Sequence, residues 1–272
     1  MKKLFVIALV AFSASQGLRA QDDIEFSYFN HMSVGVSIGT DGIGFDLAAP
    51  ISDYAAVRGG FSFMPTIKVD KTIHLKRDVE TYRQDIDIQA KSKIFDGKLL
   101  LDFYPFKTSS FHLTAGAFFG GEEFANIVNK TPILNNPADY GTVGLIIGTA
   151  PKPEYEVVTD LNGNAKIKLK SNGFKPYLGL GFGRAVQKNS RLGFSFDAGV
   201  KFWGEPGVYA KALDHNETRP EIRNNQDSWK EHQFRYDDLG SKDDKDLRDA
   251  FETIEKITVY PVLNLRLTYR LF

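Results

Sequence analysis

Apolar and polar residues alternate along much of this chain, and the signal is longest at the C-terminus. From Val259 to Leu271 every second residue is apolar or aromatic apart from Pro261, and the residues between are mostly polar. A strand with that pattern turns one face to an apolar surrounding and the other to a polar one. Seven further segments repeat it. They are His31–Gly39, Ile43–Ile51, Ala55–Phe63, Lys98–Phe106, Phe111–Phe119, the stretch around Leu178, Leu180 and Phe182, and Leu192–Phe202. Thr40-Asp41-Gly42, Ser52-Asp53, Lys107–Ser110 and Gln187–Ser190 read as short turns. The connections Met64–Phe95, Gly121–Gly173 and Gly204–Lys256 are long. Eight strands, with short turns after the second, fourth and sixth and long connections after the third, fifth and seventh, predict an all-β, transmembrane, antiparallel up-and-down barrel. The long loops would lie outside the cell, and an even strand number would leave both termini in the periplasm.

The long loops carry patterns of their own. Glu154–Thr159 and Ala165–Lys170 flank Asn162-Gly163, a dipeptide that tolerates φ > 0, so a tight hairpin is expected there. Ile67–Asp70 and Asp85–Lys91 alternate and read as the third and fourth strands continuing outward. Lys242–Lys256 predicts a short helix, with Ser241 and Asp244 spaced for a capping box and Leu247, Ala250, Phe251 and Ile254 on one face. Asp244/Arg248 and Glu252/Lys256 are spaced for i,i+4 pairs. The facing residues of these loop segments are too charged for lipid, which favours eight membrane strands over ten or twelve.

The N-terminus sets the compartment. Lys2 and Lys3 precede the apolar run Leu4–Phe12, and Leu18-Arg19-Ala20 precedes Gln21. Residues 1–20 therefore read as a secretory signal peptide, and 21–272 as a single outer-membrane barrel domain. The apolar run is too short to cross a ~30 Å hydrocarbon core as a helix. There are no cysteines, which excludes disulfides, thiolate chemistry and lipoprotein anchoring. Lys+Arg and Asp+Glu both number 34; loss of Lys2, Lys3 and Arg19 leaves about −3, with no sign of nucleic-acid binding.

Projecting the alternation inward collects Asp46, Arg58, Lys98, Asp102, His112, Arg191, Ser195, Asp197, Lys201, Asn264, Arg266 and Arg270. An eight-stranded barrel has room inside only for side chains. Asp46, Arg58, Lys98, Asp102, Asp197, Lys201 and Arg266 are thus expected to form a structural charge network that closes the lumen; the competing reading is a selectivity ring in a pore. No cofactor, metal site or catalytic residue is expected. His31 and Ser33 would lie about 6.6 Å apart along one strand. His112 is near Ser109 and Ser110 in sequence, and His215 and His232 lack ligand spacing.

In its signal, alternating strands, loop asymmetry and terminal Phe272 the chain resembles small Gram-negative outer-membrane barrels of the OmpA-barrel and OmpW type. The resemblance implies outer-membrane lipids and lipopolysaccharide as surroundings. It also implies an aromatic C-terminal signal, here Tyr269 and Phe272, read by the barrel assembly machinery. Strict alternation puts Phe272 on the face of Arg270 and Thr268, a departure from that family. The expected function is a non-enzymatic barrel with ordered loops that bind an extracellular ligand or protect the surface. The alternatives are a narrow transporter for small solutes and a lipid A- or phospholipid-modifying enzyme.

Overall fold

The computed structural model describes residues 25–74, 80–142, 144–147, 154–223, 225, 228–239 and 245–272. The signal segment, Ser241 and Asp244 lie outside the described residues, as does the side chain of Leu247. Numbering strands in chain order, eight close into a barrel: β1 (Ser33–Gly39), β2 (Gly42–Ser52), β3 (Ala55–Phe63), β6 (Phe95–Phe103), β7 (Phe111–Gly120), β12 (Phe174–Phe182), β13 (Leu192–Phe202) and β16 (Val259–Arg270). Each pairs antiparallel with the barrel strands before and after it in the chain, and β16 returns to β1, with Ser33 opposite Arg270 and Gly39 opposite Asn264. The topology is a closed meander without a free edge.

The two-residue period sorts the side chains. Ile38, Leu47, Leu99, Leu178, Phe194 and Leu265 are exposed on the outer wall, while the residues between them are buried in the lumen. Outward aromatics gather near both ends: Phe119 meets Phe174 and Phe61 meets Phe95 at the long-loop end, and Phe111 meets Phe182 at the short-turn end. From Phe111 to Phe119 is about 27 Å along the strand. An outer face so apolar cannot be left in water over this area.

Several strand boundaries differ from the sequence reading. The fourth barrel strand runs Phe95–Phe103 rather than Lys98–Phe106. Pro105 has no N–H for the ladder, so the pairing with β3 ends in the bond from the Tyr104 N–H to the Tyr54 carbonyl. The first strand begins at Ser33 rather than His31. At the other end β16 stops at Arg270 and Phe272 is 61% exposed, so it does not share the buried face of Thr268 and Arg270. Only its backbone stays in register, its carbonyl accepting from the Met32 N–H.

The long connections build a second, eight-stranded sheet rather than extending the barrel wall. Its members are β4 (Ile67–His74), β5 (Asp85–Ser92), β8 (Glu123–Asn129), β9 (Gly144–Ile147), β10 (Tyr155–Val158), β11 (Lys166–Lys170), β14 (Gly207–Asp214) and β15 (Lys230–Phe234). The order is β4-β5-β8-β11-β14-β10-β9, with β15 also on β14. The expected hairpin across Asn162-Gly163 does not form. β10 and β11 do not pair with each other; both pair with β14, at Ala212–Asp214 and Gly207–Ala210. A tight turn is present, with Gly163 at φ 75 and Asp160 Oδ1 accepting the N–H groups of Asn162 and Asn164. Local turn chemistry is satisfied, and the longer-range partner β14 takes both strands.

One face of this cap is apolar. Ile86, Val208, Ala210 and Phe234 pack with Tyr82, Leu134 and Phe251. Phe251 and Ile254 come from α1 (Lys245–Lys256), which keeps the expected Glu252–Lys256 pair. Ala250, expected on the same face, is exposed.

Candidate functional site: a charge-packed lumen

Inward positions on eight strands converge on one axis, and charge dominates them. Arg58 on β3 pairs with Asp102 on the neighbouring strand β6 at 2.7 Å and reaches across the lumen to Asp197 on β13 at 3.0 Å. Thr114 donates to Asp102 at 2.8 Å, and His112 Nε2 lies 3.0 Å from Asp197. Arg266 holds both oxygens of Asp46 through Nε at 3.0 Å, and Lys98 stands 3.8 Å from the same carboxylate. Six of the seven network residues expected from sequence thus meet in these two clusters.

Lys201, the seventh, belongs to a third cluster built around a residue the sequence reading missed. Asp96 on β6 is 0% exposed and takes Lys201 Nζ and Lys175 Nζ, each at 2.7 Å. The Lys201 ammonium also sits 4.2 Å from the Phe118 ring centre. Asp96 is two residues before Lys98 and Lys175 two before Tyr177, so inward parity carried one residue pair further would have found both. Leu100, Phe118, Tyr177 and Val262 form an apolar layer within the lumen.

Among the described residues the lumen buries five acids (Asp41, Asp46, Asp96, Asp102, Asp197) and, with Arg184 and Arg270 at its short-turn end, seven bases (Arg58, Lys98, Lys175, Arg184, Lys201, Arg266, Arg270). Asp41 departs from the pairing: it is 1% exposed and neither carboxylate oxygen has a hydrogen-bond partner. The free space at the centre is a cavity of about 10 Å³, lined in part by Arg58, Lys98, Asp197 and Arg266. That is about the room one water needs.

The short-turn mouth is stoppered. Gly183, at φ 112, turns the chain after β12 so that Arg184, Ala185 and Val186 fold into the barrel end against Phe26, Ala48 and Tyr104. Ala185 N–H donates to the Tyr104 hydroxyl at 2.8 Å, and Ser33 donates to the Ala185 carbonyl at 2.6 Å. Arg184 bonds the carbonyls of Asp53, Lys107 and Ser109, and Arg270 those of Gln187 and Lys188. Just outside, Asp53 is partly desolvated. Its hydrogen bonds from Lys107 and Lys188 and from the Phe26 N–H outweigh that and hold its carboxyl well below the usual range. Arg191, expected inward, is exposed at the foot of β13.

Several of the candidate groups make structural contacts. Asp102, His112 and Asp197 offer ligand atoms within 4.8 Å of one another, a metal-like spacing, but the Arg58 guanidinium stands on both carboxylates. Ser33, the neighbour of His31, spends its hydroxyl on Ala185, and Ser109 Oγ accepts from the Phe111 N–H.

The fold is therefore a closed eight-stranded antiparallel barrel with a sheet-and-helix cap. No family description matches the chain, and no curated protein does. Among solved structures it is similar to Acinetobacter baumannii CarO, at 14% identity and a TM-score of 0.45 over 89% of this chain and 99% of that one. It is similar to Acinetobacter baumannii CarO2 at 17% identity and a TM-score of 0.45, over 91% of this chain and all of that one.

Proposed function

We propose that this chain is a non-enzymatic outer-membrane barrel whose lumen is a structural plug and whose function resides in its cell-surface cap. The observation that carries the reading is the lumen itself. Its charged side chains are cross-linked from wall to wall, its short-turn mouth is filled by Ala185 and Val186, and the cavity at its centre is about 10 Å³. A hydrated solute has no path through such packing unless several buried ion pairs break together, and each would leave an uncompensated charge at about 3–5 kcal/mol. The apolar outer wall between aromatic belts supports residence in a bilayer. The signal-like N-terminus supports export, with the cap outside and Tyr269 and Phe272 serving assembly. The non-catalytic part is supported by the engagement of His112 with Asp197 and of Ser33 with Ala185. Liposomes carrying the purified protein should swell in small sugars and amino acids no faster than protein-free liposomes. Swelling above that background would favour the narrow-transporter reading. Lipid A mass spectra from cells with and without the protein should be the same; a gained or lost acyl chain would point to an enzyme.

A further inference from the structure

We propose that the cap holds a binding crevice for a small organic anion with an apolar body. β10 and β11 meet the same edge of β14 end to end, and the chain between them leaves the ladder. A cavity of about 580 Å³ opens along that discontinuity, within the range of small-molecule sites. Val128, opposite Lys166 on the neighbouring strand, and Val158 give it an apolar wall on the face of the lysines. Trp229 backs that wall, packed against Val158 and Leu213 with its indole N–H donated to the Ile222 carbonyl at 3.0 Å, and Val157 and Ala210 reach the crevice from the cap's apolar core.

The charge beside that wall is unbalanced. Lys166, Lys168 and Lys211 line the crevice with Asp160 and Glu231. Glu231 faces Lys211 directly across the β14–β15 ladder, yet its two oxygens are held by Lys168 at 2.8 Å and by Lys170. Those bonds hold the Glu231 carboxyl below its usual range and the Lys168 ammonium above its own. Asp160 is spent on the N–H groups of its own turn. Among the described residues, Lys166 and Lys211 have no carboxylate within 4.0 Å. The β11–β14 register carried one residue past Ile167–Ala210 sets them opposite each other, and facing like charges destabilise a strand pair.

A carboxylate, sulfonate or phosphate monoester between the two ammonium groups removes that repulsion, and a hydrocarbon or aromatic body then lies along the wall of Val128 and Val158. A cation meets two lysines, and a neutral apolar molecule leaves them unpaired.

The test is isothermal titration of the full mature chain in a non-ionic detergent with four probes: 4-phenylbutyrate, phenyl phosphate, 4-phenylbutanol and inorganic phosphate. The expected result is saturable binding of phenylbutyrate or phenyl phosphate at least tenfold tighter than of phenylbutanol or inorganic phosphate. The tighter of the two aromatic anions identifies the headgroup. The double variant Lys166→Gln/Lys211→Gln should lose at least tenfold, while Lys71→Gln on the exposed strand β4 should bind as wild type does. Since both crevice lysines are exposed, the variant is expected to fold, which circular dichroism checks; Lys166→Arg/Lys211→Arg should retain binding. Equal affinity for phenylbutanol, equal affinity of the glutamine variant, or no binding of either aromatic anion at millimolar concentration would overturn the proposal. Inorganic phosphate binding as tightly as phenyl phosphate would overturn the apolar half and leave a simple phosphate site.

Discussion

Asp96→Asn is the sharpest perturbation of the plug. The side chain keeps its shape, but the one carboxylate that, among the described residues, serves the buried Lys175 and Lys201 becomes neutral. Lys175 and Lys201 each approach it at 2.7 Å and all three groups are buried. Removing one partner of a buried pair typically costs about 3–5 kcal/mol, because the remaining charge stays desolvated. Two cations are stranded here, and the new amide N–H₂ points at one of them, so the upper end applies, about 5 kcal/mol. Asp102→Asn is milder, since Arg58 keeps Asp197; about 3 kcal/mol is expected. The assay is reversible urea unfolding of the barrel in micelles or small vesicles. At a slope of about 2 kcal/mol/M, Asp96→Asn should lower the midpoint by about 2.5 M and Asp102→Asn by about 1.5 M. The triple variant Asp96→Leu/Lys175→Met/Lys201→Met removes charges and desolvation together and should recover most of the loss, as apolar replacements of buried ion pairs do. A shift under about 0.5 M for Asp96→Asn, or a triple variant worse than the single one, would refute the reasoning.

Single cysteines labelled by an impermeant reagent on intact cells should react at Asn162, in the cap, and not at Asn189, in the turn after β12; the reverse pattern would invert the orientation. Leu180→Arg or Phe196→Arg, on the outer wall, should impair insertion by about 2–4 kcal/mol near the midplane, seen as loss of the folded form in vesicles. Gly181→Ala should leave the lipid face intact yet destabilise the barrel, because a Cβ there would come within 2.6 Å of His112 Nε2 and 2.5 Å of the Phe196 carbonyl; unfolding midpoints compare the two. His232 in the cap stacks on Tyr155, and burial holds its pKa below 6.5, with Asp238 opposing. The folded cap thus prefers it neutral, and the contribution is present above pH 6.5 and lost as the pH falls below it. Cap stability should drop between pH 7.5 and 5.5, and the drop should shrink in His232→Gln.

How far the fold is legible in sequence depends on whether period or partner decides it. The barrel strands are legible because inside and outside differ so sharply in polarity that parity alone sorts them, as at Leu192–Phe202. Asp96 escapes because Gly97 breaks the outward apolar series, so the alternation reads from Lys98 onward. The cap topology escapes for a different reason. Asn162-Gly163 announces a turn, but which strand receives Tyr155–Val158 and Lys166–Lys170 is set by β14, whose sequence Gly207–Asp214 alternates poorly and lies some forty residues downstream. The plug segment Arg184–Val186 carries no periodic signal at all; only the barrel mouth around it explains why a loop arginine and two small apolar residues are buried.

Single-channel recording in planar bilayers shows whether side-chain charge pairing closes the lumen. Wild-type protein should give no steady conductance, and any openings should appear only when a plug acid is removed, as in Asp102→Asn or Asp197→Asn. A reproducible open channel in the wild-type protein, with a conductance those substitutions leave unchanged, would contradict the account.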